Sequence, residues 1–533
     1  MPKASERLLL AGGCFLTLDP ARPTAEAVLV MDGLIRWVGA VADAPAADRR
    51  IPLDGAVVIP GLTDAHLHLY ARALERLEVD VGEGVDSIDT LLSRLTSAAA
   101  SKPGRAWIVA GSYNEQMLRE RRHPSLSELN GAADGRPVLI KRTGGHLAVA
   151  NSAALAAAGW SDDSPDPPAG TLVREGGRLT GVLTERAADI AVSLLPKPET
   201  RDVAAAIRRV CDDCLASGIV AAVEAAVGFS SGFDAEWGVW ESLRRKLPLR
   251  MGFMLRIDPD EASAVGLAPG ASDLRWQANT LKFFVDGIIG ARTAALSEPF
   301  VGTDDAGLFM DEPEALQRKV IEGHAAGWQL AAHTIGDRAI DLWLDCLEAA
   351  ERSCPSPTGV RHRIEHLALP SAEAMKRVAE ARIIAVPQYG FVRRLGDSFA
   401  AALGARRASR LYPARSVLAA GATIAGSSDM PIGPLSPFIG MAAATDRRTA
   451  LGERLGADER LTPLQALSIY ATGGATAMGH EAQRGAIREG MVADLVVLDS
   501  DRYIFSGDTA VPEDLHVRVT MVDGVIAYGS EAG

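Results

Sequence analysis

Eight apolar, strand-like segments recur through the middle of this chain, at residues 57–66, 219–225, 250–257, 280–286, 329–333, 362–367, 383–388 and 423–428. Helical stretches at 312–326, 339–352, 371–381 and 408–420 separate the later ones. Alternating strand and helix is the signature of parallel βα units, and eight of them predict a (β/α)8 TIM barrel, an α/β fold. The first connection is anomalous, because residues 69–218 stand where a βα loop needs only a few. They predict an inserted subdomain with strands of its own at 107–112 and 138–143, a Pro- and Asp-rich loop at 162–170 and a helix at 148–158. It leaves the barrel from the C-terminal end of strand one, the catalytic face of such barrels, where it is placed to act as a lid.

The flanks differ in texture. Residues 6–58 and 485–528 read as short strands with hairpin-type turns at Asp32-Gly33 and Asp523-Gly524. Neither flank is large enough to fold alone, so 1–56 plus 481–533 are expected to form one composite β-sandwich domain, with the barrel over 57–480. A chain of 533 residues has room for both.

Composition removes several functions. Net charge is −13 with no basic block, which argues against nucleic acid as a partner. No run of 18 apolar residues exists, so no membrane span is predicted. The apolar stretch at 8–18 resembles a signal-peptide core, but Gly12-Gly13 interrupts it and no cleavage motif follows. Five irregularly spaced cysteines imply no disulfide framework, and a cytoplasmic location is expected.

Chemistry concentrates at the strand ends. His66 and His68 alternate on an extended chain and so point the same way, within reach of one divalent metal. His333 ends strand five, His366 strand six, and Asp429 follows strand eight. Lys282 lies in the otherwise apolar strand TLKFFVD, where desolvation favours a neutral amine able to take up carbon dioxide as a carbamate, an anionic ligand that can bridge two metals. The plainer alternative is an ion pair with Asp286. Asp429 is either a structural cap or a metal ligand and general base beside a metal-bound water of pKa ~7. His146, in GGHLAVAN of the insertion, is either a turn residue or a group reaching from the lid to polarise a substrate carbonyl. His324 and His362 read as structural.

The motifs PGLTDAHLH, TLKFFVDG, AAHTIGDRAID, RIEHL, AGSSDMPIGPLSP and GAIREGMVADLVVLD, in that order, resemble the amidohydrolase superfamily. RPVLIKRTGGHLAVANSAAL and LTGVLTE resemble its amidohydrolase-3, YtcJ-like branch, which contains N-substituted formamide deformylase. The resemblance covers nearly the whole chain. It implies a metal-dependent hydrolase, usually a zinc enzyme with one or two ions, cleaving an amide-type C–N bond by attack of a metal-bound hydroxide. His66, His68, Lys282, His333 and His366 occupy its metal-ligand positions, and Asp429 that of the catalytic aspartate. The expected partners are a small-molecule amide and a second copy of the chain, as a dimer.

Three rivals stand beside this reading. Gly228-Phe229-Ser230-Ser231-Gly232 fits the nucleophile elbow of a serine hydrolase, with Ser230 as nucleophile. A deaminase on the same barrel would pair the strand-five histidine with a nearby glutamate and lack the strand-four lysine, whereas His333 is followed by Thr334-Ile335-Gly336. A non-catalytic regulatory or binding protein can use the same scaffold, since fold does not fix function. Cys211 and Cys214 are spaced as a CxxC pair but lie in a helical pattern with no second pair, so they are expected to be ordinary thiols.

Overall fold

The Pro60-Gly61 step divides what the sequence presents as one apolar strand. A computed structural model of the protein describes residues 6–101, 107–143, 147–270, 273–355, 359–499, 504–507 and 509–530. In it Val57–Pro60 pairs with Leu8–Leu16 and Leu495–Asp499, whereas Leu62–Leu67 pairs with Ile219–Val227. Gly61 makes the transfer possible. Its amide donates to the Asp494 carbonyl at 2.8 Å, and a Cβ there would sit 2.6 Å from the Val220 side chain. The barrel therefore starts at Leu62, not at Val57.

The chain divides into two compact units, Met1–Tyr70 with Arg208–Gly533, and Ala71–Ile207. In the first, the barrel strands are β1 (Leu62–Leu67), β2 (Ile219–Val227), β3 (Arg250–Leu255), β4 (Trp276–Phe284), β5 (Gln329–Thr334), β6 (Arg363–His366), β7 (Ile384–Val386) and β8 (Thr423–Ile424). Neighbours follow chain order and every pairing is parallel. Three backbone bonds return β1 to the segment after β8: Ala65 N to Gly426 O (3.1 Å), Asp429 N to His66 O (2.8 Å) and His68 N to Met430 O (2.8 Å). The fold is TIM-barrel-like. Six of the eight strands are buried at every position, and stretches such as Ile219–Val227 and Ile384–Val386 accordingly read as near-continuous apolar runs rather than alternating ones.

Helices Pro313–Ala325, Asp337–Ser353 and Ala372–Glu380 occupy the expected spacers. Asp337–Ser353 buries Ile340, Trp343, Leu344 and Leu347, a stripe at helical spacing. Between β7 and β8 the expected single helix is replaced by Gly390–Leu403, Ala405–Ala408 and Ala414–Ala419. Gly390 and Gly396 weaken the helical signal of the first. Gly396 is nonetheless required, since a Cβ there would meet Thr449 Cγ2 at 2.8 Å.

Strands from both termini form one eight-stranded sheet rather than the two sheets of a sandwich. A bulge between Ala11 and Phe15, where Gly12 has φ 80°, bends it. Ile35 and Val38 near one edge then share a core with Val519 and Met521 near the other. The second unit carries a six-stranded sheet in the order Gly170–Glu175, Arg178–Glu185, Leu147–Ala150, Val138–Arg142, Ile108–Tyr113, Val79–Asp80. Both faces are covered: Val138 and Ile140 enter one core and Leu139 the other, as a pleated strand requires.

Candidate metal centre

Parallel strands of one barrel end together, so residues far apart in sequence meet at the C-terminal ends. His66 from β1, His366 from β6 and Asp429 after β8 offer ligand atoms all within 4.8 Å of one another. Asp429 Oδ1 lies 3.4 Å from His66 Nε2 and 3.1 Å from His68 Nε2. That oxygen is buried and has no hydrogen-bond partner. The His333 and His366 rings stand 4.2 Å apart in T-shaped contact, and His66 and His366 5.0 Å apart.

Neighbouring side chains fix how these rings present themselves. His66 Nδ1 donates to Glu365 Oε2 at 2.6 Å, which turns Nε2 inward as the lone pair. His366 Nδ1 donates to Gln388 Oε1 at 2.7 Å. The Gln388 amide is oriented in turn by donating to Val386 O and Ser427 Oγ. His333 Nε2 donates to Gly287 O at 3.0 Å, leaving Nδ1 free. Glu224 of β2 lies 3.9 Å from His68 Nδ1 and accepts the Tyr70 amide. Arg363 donates to both Glu365 oxygens and to Ala65 O, tying β6 to β1 beneath the site.

The electrostatics suit a cation. Burial pulls the His333 pKa down to about 4 and that of His366 well below its ordinary value, so both are neutral, the form that ligates metals. Burial pushes Asp429 up, but the His66 and His68 imidazoles more than reverse this and hold it ionised. Burial also favours a protonated Glu365, and the Arg363 charge and His66 outweigh it. For His68, burial opposes protonation, and Asp429 reverses the balance. An ionised, buried carboxylate among converging imidazoles, two of them neutral, is a set of ligand atoms that a divalent ion fits.

Lys282 is buried on β4, with Nζ 5.2 Å from the Phe284 ring centroid. Burial lowers its pKa to about 8, while Glu365 and Asp429 work in the opposite direction. It does not pair with Asp286. That carboxylate accepts the amides of Ala295, Ile335 and Gly336 instead, and so braces the turns after β4 and β5. His146 lies outside the described residues. Ser230 is exposed, and no histidine bonds to it among the described residues. Its amide and those of Gly228 and Ser231 are held by the Glu236 carboxylate. His324 and His362 bond to each other at 2.8 Å, away from the centre.

Sequence reasoning missed Glu365, Gln388, Arg363 and Glu224. One signal was available for Glu365: an acid inside an apolar strand, directly before His366. Gln388 and Glu224 gain their roles only once β7 and β2 are placed.

The fold and the site together are a TIM-barrel-like scaffold with a metal-binding type of donor set at its strand ends. The chain belongs to the Amidohydrolase family, whose model matches residues 50–528. It is 28% identical to the YtcJ amidohydrolase of Bacillus subtilis (strain 168), over 97% of this chain and 98% of that one. It is 29% identical to the N-substituted formamide deformylase of Arthrobacter pascens, over 98% of each chain. Among solved structures, an uncharacterized metal-dependent hydrolase from Pyrococcus horikoshii OT3 superposes with a TM-score of 0.74 at 25% identity, covering 93% of this chain and 98% of that one. No helix among the described residues is long and apolar enough to cross a membrane.

Proposed function

We propose that this chain is a metal-dependent hydrolase that cleaves an amide-type carbon–nitrogen bond in a small N-acyl or N-formyl amine. The observation that carries the reading is the convergence of His66, His366 and Asp429 ligand atoms within 4.8 Å of one another at the strand ends, with Asp429 Oδ1 facing the Nε2 atoms of His66 and His68. The names of the two relatives above support the bond class. His66, His68, His333, His366 and Asp429 would hold the ion, and an imidazole and carboxylate set suits zinc. When bound, such an ion polarises the scissile carbonyl and lowers the pKa of water.

The chain's own groups do the rest. Asp429 accepts a proton from the attacking water and returns it to the departing nitrogen, which otherwise leaves as a poor amide anion. Glu365 and Gln388 keep His66 and His366 from rotating. Lys282, buried and with its pKa lowered by that burial, is the site for a carbamate that would add an anionic donor. His146, outside the described residues, is proposed as the group that polarises the substrate carbonyl.

Chelation should abolish hydrolysis of N-formyl and N-acyl amines, and about one or two equivalents of zinc should restore it. Full turnover by a preparation shown by elemental analysis to be metal-free would overturn the reading. For the carbamate, Lys282→Ala should lose metal and activity together, with partial return of both in high concentrations of a short carboxylic acid. Full metal content and activity in that variant would remove Lys282 from the ligand set.

A further inference from the structure

Arg256 follows β3 directly, and its guanidinium carbon lies 5.6 Å from the ring centroids of both Phe229, after β2, and Phe284, at the end of β4. The two rings stack 5.5 Å apart. Among the described residues the guanidinium meets no carboxylate. All three side chains line a cavity of about 510 Å³ whose wall also includes Lys282 and Met310. Three carboxylates also lie on that wall. Glu261 accepts the Asp258 amide at 3.0 Å, Asp258 is the N-cap of helix Pro259–Ala264, and Asp311 faces Lys319 at 3.8 Å.

This cavity adjoins the candidate centre. The Phe229 ring is 6.3 Å from that of His68, and the Phe284 ring stacks 5.6 Å from that of His333. Phe229 and Met310, 55% and 57% exposed, give that wall apolar surface open to a ligand. A guanidinium lying beside two aromatic rings without a carboxylate partner retains N–H donors for a planar anion, and a carboxylate takes them two at a time.

We propose that Arg256, on the platform of Phe229 and Phe284, is a specificity-determining subsite that selects amide substrates carrying a carboxylate beside an apolar group. The inference rests on the hydrolytic reading above and extends it from the bond broken to the substrate recognised. Phe229 and Met310 cover the apolar group. Arg256 pairs with the carboxylate and so fixes the distance from that anion to the scissile bond.

The test compares N-formylphenylalanine with N-formyl-2-phenylethylamine, which differ by the carboxylate, in metal-loaded enzyme. Wild type should favour the acid about 10- to 100-fold in kcat/KM, the scale of a charged hydrogen-bonded pair. Arg256→Met keeps contact with the rings and removes the charge, and the ratio should collapse towards one. Arg256→Lys should recover only part, since an ammonium lacks the fork geometry. No preference in wild type, or a parallel fall that leaves the ratio intact in Arg256→Met, overturns the subsite. Calorimetric binding of 3-phenylpropionate needs no turnover, and an unchanged Kd in Arg256→Met overturns it as well. Weakened binding in that variant with neither amide hydrolysed would keep the subsite and discard the hydrolytic reading.

Discussion

Asp429 holds its carboxylate on a left-handed backbone, φ 54°, and across the site His366 and Leu367 do the same at 69° and 44°. Such conformations cost energy in non-glycine residues and persist where the surroundings enforce them. Here the Asp429 amide is bound to His66 O, and the Leu367 amide to Thr334 O. The strain aims the side chains inward at the point where β1, β6 and the segment after β8 meet. Asp429→Asn preserves that shape and one oxygen but removes the base, so turnover should fall by about 10² to 10⁴ while the variant stays folded. Kinetics beside circular dichroism and metal content would check it, and near-normal turnover would mean the base lies elsewhere. Glu365 makes a different prediction. Its folded pKa is depressed below the ordinary 4.5, so the stability it contributes is fully present above that value and is lost as pH falls through the lower folded value. Glu365→Gln leaves the buried Arg363 without its counter-charge and should cost about 3–5 kcal/mol at neutral pH. Its stability should also fall less steeply than wild type's below about pH 4.5, as urea titrations across pH 3–7 would reveal.

At the scale of elements, the loop between β2 and the helix Phe233–Leu243 shows how a motif can match in letters and differ in structure. A nucleophile elbow forces its serine into a strained turn, but here the positive φ angles belong to Gly228 and Gly232, and Ser230 has none. The Glu236 carboxylate gathers three amides of the loop, as an acid near a helix N-terminus does. Ser230→Ala should leave kcat/KM within a few-fold of wild type, and a loss above about a thousandfold would restore the covalent mechanism. The same contrast explains what could be read from sequence and what could not. The ladder order and the inward histidines were legible because β1, β5 and β6 each place a histidine at or one residue before the strand's C-terminal end. The Pro60-Gly61 step was visible as a break, but not as a change of sheet, because Val57–Pro60 is as buried in its own sheet as Leu62–Leu67 is in the barrel. The Lys282–Asp286 pair was plausible by strand periodicity. It fails because three nearby amides in tight turns compete for the carboxylate, and turn geometry is not encoded in periodicity. Helix Gly390–Leu403 hid behind glycines that are there for close packing.

For the first compact unit as a whole, the question is what makes the terminal sheet and the barrel one folding entity. Val57–Pro60, in the middle of the sheet, runs through Gly61 directly into β1, and on its other side it pairs with Leu495–Asp499 from the far end of the chain. At that junction Arg250 of β3 donates two bonds to Asp494, at 2.8 and 2.9 Å, with the side chains 1% and 3% exposed. Arg484 lies 3.7 Å from the same carboxylate and donates to Thr63 of β1. Burial lowers the Arg484 pKa to about 10, and Asp494 is the nearest group opposing that loss of charge. The Asp494 carbonyl takes the Gly61 amide, and its Oδ1 takes the Asp523 amide. One aspartate thus joins β1, β3 and two strands of the terminal sheet. Asp494→Ala would leave two guanidinium groups buried without their shared anion, a change that typically costs about 3–5 kcal/mol. Asp523 also contacts Arg250 and Arg275, but its side chain is 32% exposed and water can replace it, so Asp523→Ala should cost no more than about 1 kcal/mol. Chemical denaturation followed by tryptophan fluorescence should show the Asp494 variant's transition shifted far more than the Asp523 variant's. Because the lost contact spans sheet and barrel, hydrogen exchange should rise in β1 and β3 as well as in Leu495–Asp499. A rise confined to the terminal strands would mean that the barrel stands without them.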